Sequence, residues 1–253
     1  MSGEMILEVR DFRKRYRQGL RTVDAVRGVS FGVARGEILG IVGESGSGKS
    51  TVLKSIACLE NPTEGDIVLN GRSIARGRSG DVCRELQMVF QDPVRSFDPR
   101  MKTGNSIRES LRNLAGLQGD AAEARLKELC GMTGLAPELA DRYPGGISGG
   151  QCQRFAIARA LAAEPELLLC DEVTSALDVL VQAQITALLS DLRERLSLSI
   201  VFVTHDIALA AEFCDRIVVM KDGEAVEQGP AAEVLRHPAH AYTRQLMDSV
   251  LAF

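Results

Sequence analysis

The sequence lacks tryptophan, and aromatic residues make up only 4% of its 253 positions. No stretch approaches the ~18 consecutive apolar residues that a membrane-spanning helix needs. The most apolar segment, 157–169, is interrupted by Arg159, Glu164, Pro165 and Glu166. The first residues also lack the basic segment and apolar core of a secretory signal. We therefore expect a chain that stays in the cytosol and reaches a membrane only by docking on a membrane partner.

Two further absences concern nucleic acid and bound metal. Lys and Arg total 30 against 34 Asp and Glu, so the net charge of −4 gives no support for a nucleic-acid partner. Basic residues do cluster over 10–21, which we interpret as a solvated strand edge and loop. The six cysteines form no CxxC pair and have no histidine at metal-ligand spacing. We expect six free thiols, several of them in the core.

Strand-like and helical segments alternate at both ends of the chain. The expected strands are 6–9, 26–33, 37–42, 65–70, 86–91, 166–171 and 199–204, with a hairpin over 217–228 that turns at Asp222 and Gly223. The expected helices are 49–59, 149–163, 179–196, a short one ending at 213, and the tail 230–250. Buried strands alternating with helices predict a doubly wound α/β core. Helical spacing with glycine breaks over 103–142 predicts a small inserted helical subdomain.

A glycine-rich loop follows the apolar strand that ends at residue 42. Its sequence, GESGSGKS over 43–50, matches the phosphate-loop pattern GxxxxGK[ST]. The glycines let the backbone curl so that its N–H groups point at phosphates, aided by the N-terminus of the next helix. Lys49 would reach the β- and γ-phosphates, and the Ser50 hydroxyl would bind Mg²⁺. The predicted nucleotide-binding residues of this loop are Gly43, Glu44, Ser45, Gly46, Ser47, Gly48, Lys49, Ser50 and Thr51.

Two acidic residues end the buried strand LLLCDE at 167–172. The carboxyl ends of strands are where α/β sheets place their ligands. Asp171 would hold Mg²⁺ through water, and Glu172 would act as the general base that polarises the attacking water. Read alone, this pair would more simply be the polar end of a strand, and the phosphate loop is what gives it chemical meaning.

The segment ISGGQCQR at 147–154 separates this chain from most other nucleotide hydrolases. Ser148, Gly149 and Gly150 would cap a helix whose N-terminus can face an anion. With SGGQ about 20 residues before the acidic strand, the sequence resembles the ABC ATPase family over nearly its whole length. The resemblance implies a P-loop NTPase (RecA-like) core with an N-terminal antiparallel β subdomain, over 1–91 and 160–253, and an inserted α-helical signature subdomain over 92–159.

The resemblance also implies roles for residues that no local pattern singles out. Tyr16 would stack on adenine, Gln91 would contact Mg²⁺ and water and sense the membrane partner, and His205 would contact the γ-phosphate. The implied catalytic residues are Glu172, His205 and Gln91, and the implied metal ligands are Ser50, Gln91 and Asp171. The implied contacts to ATP held by an opposite subunit are Ser148, Gly149, Gly150 and Gln151, and the implied D-loop is Ser175, Ala176, Leu177 and Asp178. ATP would thus join two such domains, and hydrolysis would release them.

The segment FQDPVRSFDPRM at 90–101 and the ending HPAHAYTRQLMDSV resemble the peptide/nickel uptake branch of the family. This implies an ATPase subunit of an importer for peptides or nickel and other metal chelates, peripheral on the cytoplasmic face of the cell membrane. Its partners would be a second ATPase subunit, identical or a paralogue, two permease subunits and, indirectly, an extracytoplasmic binding protein, with no nucleic acid. The alternative is an ATPase subunit of a soluble complex such as carbon–phosphorus lyase. Val173 departs from the family's usual proline, and the chain stops without a cysteine-bearing extension.

Overall fold

A computed structural model describes residues 4–19, 21–75, 77, 79–175 and 177–251 of the chain. The strands are β1 (Met5–Gln18), β2 (Arg21–Ala34), β3 (Ile38–Val42), β4 (Glu64–Leu69), β5 (Arg72–Ser73), β6 (Leu86–Val89), β7 (Leu167–Asp171), β8 (Ser199–Thr204), β9 (Arg216–Lys221) and β10 (Glu224–Pro230). The helices are α1 (Lys49–Ile56), α2 (Gly80–Glu85), α3 (Thr103–Ser110), α4 (Gly119–Met132), α5 (Gly149–Leu161), α6 (Val179–Leu196), α7 (Ile207–Phe213), α8 (Ala231–Arg236) and α9 (Ala241–Leu251).

The chain divides into two compact units. The first unit joins Met1–Arg78 to Ser199–Phe253, and the second is Ser79–Leu198. The second unit is larger than the helical subdomain expected over 92–159, because it also takes in β6, β7 and α6. The bounds of the helical subdomain, 92–159, therefore stay a prediction.

An antiparallel sheet in the first unit has the strand order β2-β1-β4-β5. The basic run that we expected at a strand edge and loop lies on β1 up to Gln18: Arg13 pairs with both β2 and β4, whereas residues 14–18 pair with β2 alone, as at a strand edge. Its charges are solvated but paired: Arg15 lies 2.6 Å from Asp24, and Arg13 lies 3.1 Å from Asp11. The Arg15–Asp24 pair joins β1 to β2, whereas the Arg13–Asp11 pair lies within β1, so acidic neighbours of both kinds balance the basic side chains at this surface.

The same unit contains a parallel set in which β3 lies between β8 and β9, and β10 returns antiparallel to β9. Strands β3 and β8 are buried along their whole length, as their continuous apolar sequences predict. The register pairs Val42 at the end of β3 with Thr204 at the end of β8. The residues that follow these two strands therefore start from the same edge. The predicted hairpin turn is confirmed, with left-handed φ of 49° at Asp222 and 84° at Gly223.

In the second unit, β6 and β7 pair in parallel with Val89 opposite Cys170. Helices α3, α4 and α5 pack together beside them, and α6 has the bounds predicted from its sequence. Helix α2 was not predicted; Ser79 caps it by accepting the Val82 amide. All six cysteines are free thiols, and four of them are buried, as expected. Within the described ranges, no helix is long and apolar enough to cross a membrane.

Candidate functional site

The phosphate loop of the first unit is shaped by close backbone contacts that only glycine permits. A Cβ on Gly43 would lie 2.2 Å from the Met220 carbonyl oxygen, and one on Gly48 would lie 2.7 Å from that of Ala25. Both residues also have left-handed φ, 153° and 101°. By contrast, a Cβ on Gly46, with φ of 86°, would meet nothing within 4 Å. The loop is therefore pressed against β9 and β2 at two points and open between them.

Lys49 is only 4% exposed, although its ammonium group is charged. Its Nζ donates to the carbonyl oxygens of Gly43, at 2.7 Å, and Glu44, at 2.9 Å. Helix α1 begins at Lys49 with Gly48 as N-cap and no side-chain cap. The backbone amides of its first turn can therefore donate hydrogen bonds to an anion, and the Lys49 ammonium lies beside them.

The other predicted residues of the first unit lie around this loop. Glu44, Ser45 and Gly46 are exposed, Ser47 is buried, and Ser50 and Thr51 are half-buried in the first turn of α1. His205 directly follows β8, and the phosphate loop directly follows β3. Because Val42 and Thr204 pair at the ends of these strands, His205 and the loop begin at the same edge of the parallel set. The structure therefore brings the loop and His205 to one end of this parallel set.

Tyr16 lies on β1 and is half-buried. Its hydroxyl donates to the Glu60 carboxylate, and the Lys14 ammonium lies 5.1 Å from the ring centre. Burial is the main cause that raises the pKa of this hydroxyl, and a hydrogen bond with Thr51 lowers it in part. Thr51 lies in the first turn of helix α1, so the Tyr16 hydroxyl lies near the start of that helix, next to the phosphate loop.

In the second unit, the acidic pair stands where β7 ends. Asp171 is 6% exposed, and Glu172 follows it with a left-handed φ of 45°. Gln91, two residues beyond the end of β6, donates from Nε2 to Glu172 Oε2 at 3.0 Å. The Ser175 hydroxyl donates to the Glu172 carbonyl oxygen at 2.9 Å. Parallel pairing of β6 with β7 is what brings Gln91 and Glu172, 81 positions apart, into contact.

The signature segment forms the N-terminus of α5. Ser148 Oγ accepts the Gln151 amide at 3.2 Å, and Gln151 Oε1 accepts the Ser148 amide at 3.0 Å, a capping box. The amides of Gly149 and Gly150, in the first turn, have no acceptor within the helix by its geometry. Because Ser148 Oγ accepts a hydrogen bond here, its own proton remains available for donation outward.

The D-loop packs beside this helix end. A Cβ on Gly150 would lie 2.9 Å from a Val181 methyl, and one on Gly149 would lie 3.8 Å from Leu177. Gln182 Nε2 donates to the carbonyl oxygen of Leu177 at 3.2 Å, and Asp178 caps α6. The predicted D-loop residue Ala176 lies outside the described residues. Next to this surface, Val179 and Leu180 are 79% and 77% exposed.

One residue near the phosphate loop was missed by the sequence analysis. Tyr242, on α9, accepts the Glu44 amide on its Oη at 3.0 Å and is only 3% exposed. Its position in the segment HPAHAYT is visible in the sequence, but no local pattern indicates that a tail residue touches a loop almost 200 positions earlier.

Comparison with known proteins agrees with this geometry. The family model described as ABC transporter matches residues 26–175. The oligopeptide transport ATP-binding protein OppF of Escherichia coli is 43% identical over 248 residues, which cover 96% of this chain and 74% of OppF. The glutathione import ATP-binding protein GsiA of Salmonella paratyphi A is 45% identical over 261 residues. These residues cover 99% of this chain but only 42% of GsiA, so the chain spans less than half of that relative's length.

Among solved structures, the ATP-binding cassette MJ0796, in a dimeric post-hydrolysis state bound to ADP and Pi, is 32% identical. Its TM-score is 0.79, with coverage of 89% of this chain and 98% of that one. The resemblance inferred from the motifs is thus confirmed, and so is the predicted P-loop NTPase fold of the ABC type. The chain belongs to the ABC transporter family, and within it to the branch of the peptide-uptake ATP-binding proteins.

Proposed function

We propose that this chain binds and hydrolyses ATP and thereby energises a membrane importer for peptides. The observation that carries the proposal is the 3.0 Å hydrogen bond from Gln91 to Glu172. It joins the residue that would accept a proton during hydrolysis to the residue that would sense the membrane partner. A single contact therefore offers a physical route by which a transport partner could control the chemistry.

In the first unit, the proposed role of the phosphate loop is to hold the triphosphate. Lys49 would exchange its contacts with loop carbonyls for contacts with the β- and γ-phosphates, which neutralise its charge more fully. The amides at the start of α1 would donate to the same oxygens. Tyr16 would support the adenine, and His205 would contact the γ-phosphate from the end of β8.

The proposed magnesium ligands are Ser50, Asp171 and Gln91. A hydroxyl, a carboxylate and an amide oxygen are hard oxygen donors, which Mg²⁺ prefers. The Asp171 carboxylate is buried at the carboxyl end of β7, where the α/β sheet places ligands, so this donor set fits the ion. When bound, Mg²⁺ would neutralise charge on the phosphate oxygens and help to orient them.

Hydrolysis would then depend on Glu172. Its carboxylate would accept a proton from water as the water oxygen attacks the γ-phosphorus and the bond to the β–γ bridging oxygen breaks, giving ADP and phosphate. Its backbone, with φ of 45°, is held by two hydrogen bonds from Ser175 to the Glu172 carbonyl oxygen. The left-handed backbone and these bonds restrict where the carboxylate can point, as a general base requires.

The signature segment would contact a γ-phosphate held by a second ATPase subunit. Ser148 can donate its hydroxyl proton outward, and the first-turn amides of α5 suit an anion. The neighbouring exposed side chains of Val179 and Leu180 provide apolar surface for such a partner. The dimeric state of the MJ0796 cassette supports this arrangement.

The proposed membrane partners are two permease subunits, supplied with cargo by an extracytoplasmic binding protein, which would place this chain on the cytoplasmic face of the membrane. Phe90 and Val94, on either side of Gln91, are 40% and 43% exposed and offer apolar contacts there. The substrate class follows from the relatives: OppF is named for oligopeptides and GsiA for glutathione, itself a small peptide. These names favour peptides over nickel chelates as the cargo.

The partners identify the function most directly. The chain, tagged and expressed in its native cell, would be purified from membranes in mild detergent, and its associated chains identified by mass spectrometry. The Glu172→Gln variant with ATP should strengthen the association with a second ATPase, and Lys49→Ala should abolish that gain. Multi-span permease subunits are the expected companions. Recovery of a soluble enzyme core instead would indicate the carbon–phosphorus lyase type of complex and refute the importer.

A further inference from the structure

The C-terminal helix of the first unit touches the phosphate loop through one side chain. The Glu44 amide donates to Tyr242 Oη at 3.0 Å in a partly buried setting. Tyr242 is 3% exposed although it is the second residue of α9, close to the end of the chain. Burial raises the pKa of its hydroxyl, and the oxygen of this neutral phenol accepts the Glu44 amide.

The surroundings of Tyr242 hold both its ring and its backbone. The Lys221 ammonium, at the end of β9, lies 4.6 Å from the ring centre. The backbone amide of Tyr242 donates to His240 Nδ1 at 3.1 Å. The Glu227 carboxylate on β10 accepts the amides of Ala239 and His240 at 2.8 and 3.0 Å, which anchors the start of α9.

The residue that Tyr242 contacts is bound at both ends of its backbone. The Glu44 amide is engaged by Tyr242, and the Glu44 carbonyl oxygen accepts from Lys49 Nζ at 2.9 Å. On the next stretch of the loop, the Gly223 amide donates to the Ser47 carbonyl oxygen at 3.1 Å. The first half of the loop is therefore held by the β9–β10 hairpin and by α9, in addition to its own lysine.

We propose that Tyr242 is a positioning residue of the phosphate loop, and that α9 sets the loop's ATP affinity through the hydrogen bond to the Glu44 amide. This proposal rests on the proposed function, since the loop must bind ATP for its positioning to matter. The Glu44 carbonyl oxygen also accepts the Ser47 amide within the loop, at 3.2 Å. When Lys49 turns toward phosphate, the Glu44 peptide keeps this internal bond and the bond to Tyr242, the one of the two that comes from outside the loop. The bond to Tyr242 then remains to keep the loop in its binding shape, because it comes from an element that the nucleotide does not displace.

The test is Tyr242→Phe, which removes only the hydroxyl and keeps the ring that Lys221 covers. Losing one hydrogen bond of ordinary strength should weaken ATP binding about fivefold to tenfold. We expect the KM for ATP to rise by that factor while kcat stays within about twofold, because Glu172 is unchanged. Amide hydrogen exchange at Glu44 should accelerate in the same variant. The matched control is Tyr143→Phe, which removes a hydroxyl from a side chain that is 52% exposed in the second unit.

The outcomes separate this proposal from the function on which it rests. If the wild-type chain does not bind ATP, the proposed function fails. If the wild type binds ATP and Tyr242→Phe has the same affinity and the same Glu44 exchange rate, the positioning role is refuted. A lower melting temperature with an unchanged KM would equally overturn it, because Tyr242 would then only stabilise the fold. The proposal is supported if Tyr242→Phe raises the KM for ATP and accelerates exchange at Glu44, while Tyr143→Phe leaves both at their wild-type values.

Discussion

The phosphate loop and the signature segment both place glycines and amides at the start of a helix, yet they are built differently. The loop is enclosed: Lys49 is 4% exposed and Gly43 lies against the Met220 carbonyl. The signature segment is open: Ser148 and Gly149 are exposed at the surface, and the segment is supported by its own capping box and by the adjacent side chains of Leu177 and Val181.

This contrast indicates what each region needs from elsewhere. A loop that is already held by β9, β2 and α9 can bind phosphates with residues of its own unit, at little cost of ordering. An exposed helix end beside the apolar side chains of Val179 and Leu180 has a prepared anion site but no enclosure. Under the proposed function, a second subunit would supply the missing enclosure.

The largest effect should come from Glu172→Gln. Loss of the general base should lower kcat for ATP hydrolysis by about 10² to 10⁴-fold while ATP binding persists, since the phosphate loop is unchanged. Steady-state hydrolysis and equilibrium nucleotide binding measure the two effects separately. Glu194→Gln, an exposed change on α6, serves as the charge-matched control and should leave both unchanged. Normal turnover in Glu172→Gln would remove Glu172 from the proposed mechanism.

A second prediction concerns how tightly the phosphate loop is enclosed. Gly43→Ala should lower the free energy of unfolding by about 3 kcal/mol, since the methyl group overlaps a backbone oxygen and the left-handed φ adds strain. Gly46→Ala has the backbone strain without the overlap and should cost only about 1 kcal/mol. Chemical denaturation of both variants compares them directly. Equal losses would show that the close approach to Met220 is not what constrains the loop.

The third prediction addresses the link between Gln91 and Glu172. Gln91→Ala removes the amide that donates to Glu172 but leaves the phosphate loop intact. We expect ATP affinity to change less than twofold, and stimulation of hydrolysis by the assembled transporter to fall about tenfold, the value of one hydrogen bond to a charged group. Hydrolysis measured with and without the membrane partners gives this ratio. A loss of affinity with intact stimulation would contradict the coupling role.

The smallest effect on the fold should come from the signature segment. Gly149→Ala adds a methyl group that meets only Leu177, at 3.8 Å. The free energy of unfolding should be unchanged or higher by about 0.5 kcal/mol, because alanine has a higher helix propensity than glycine. ATP-dependent association with the second ATPase should nevertheless weaken, which analytical ultracentrifugation can measure. A destabilised fold with normal association would reverse the contrast between the two regions.

Much of this site could be predicted from the sequence because its motifs are local. The phosphate loop, the acidic strand end and the helix cap of Ser148 each depend on residues within about eight positions of one another, and α6 was predicted with its observed bounds. The position of the basic run over 10–21 could be predicted only in part, for the opposite reason. Whether a strand lies at an edge depends on which distant strand joins it, and here β4 pairs with β1 across more than 40 intervening positions.

The sequence by itself thus determined which candidate residues this protein has for binding phosphate, for acting as a base and for capping a helix toward an anion. Only the tertiary structure decided which of them meet. Contact between Gln91 and Glu172 requires β6 to pair with β7, and contact between Tyr242 and Glu44 requires α9 to return to the loop. Such contacts arise from the packing of elements far apart in the chain, so no local pattern encodes them.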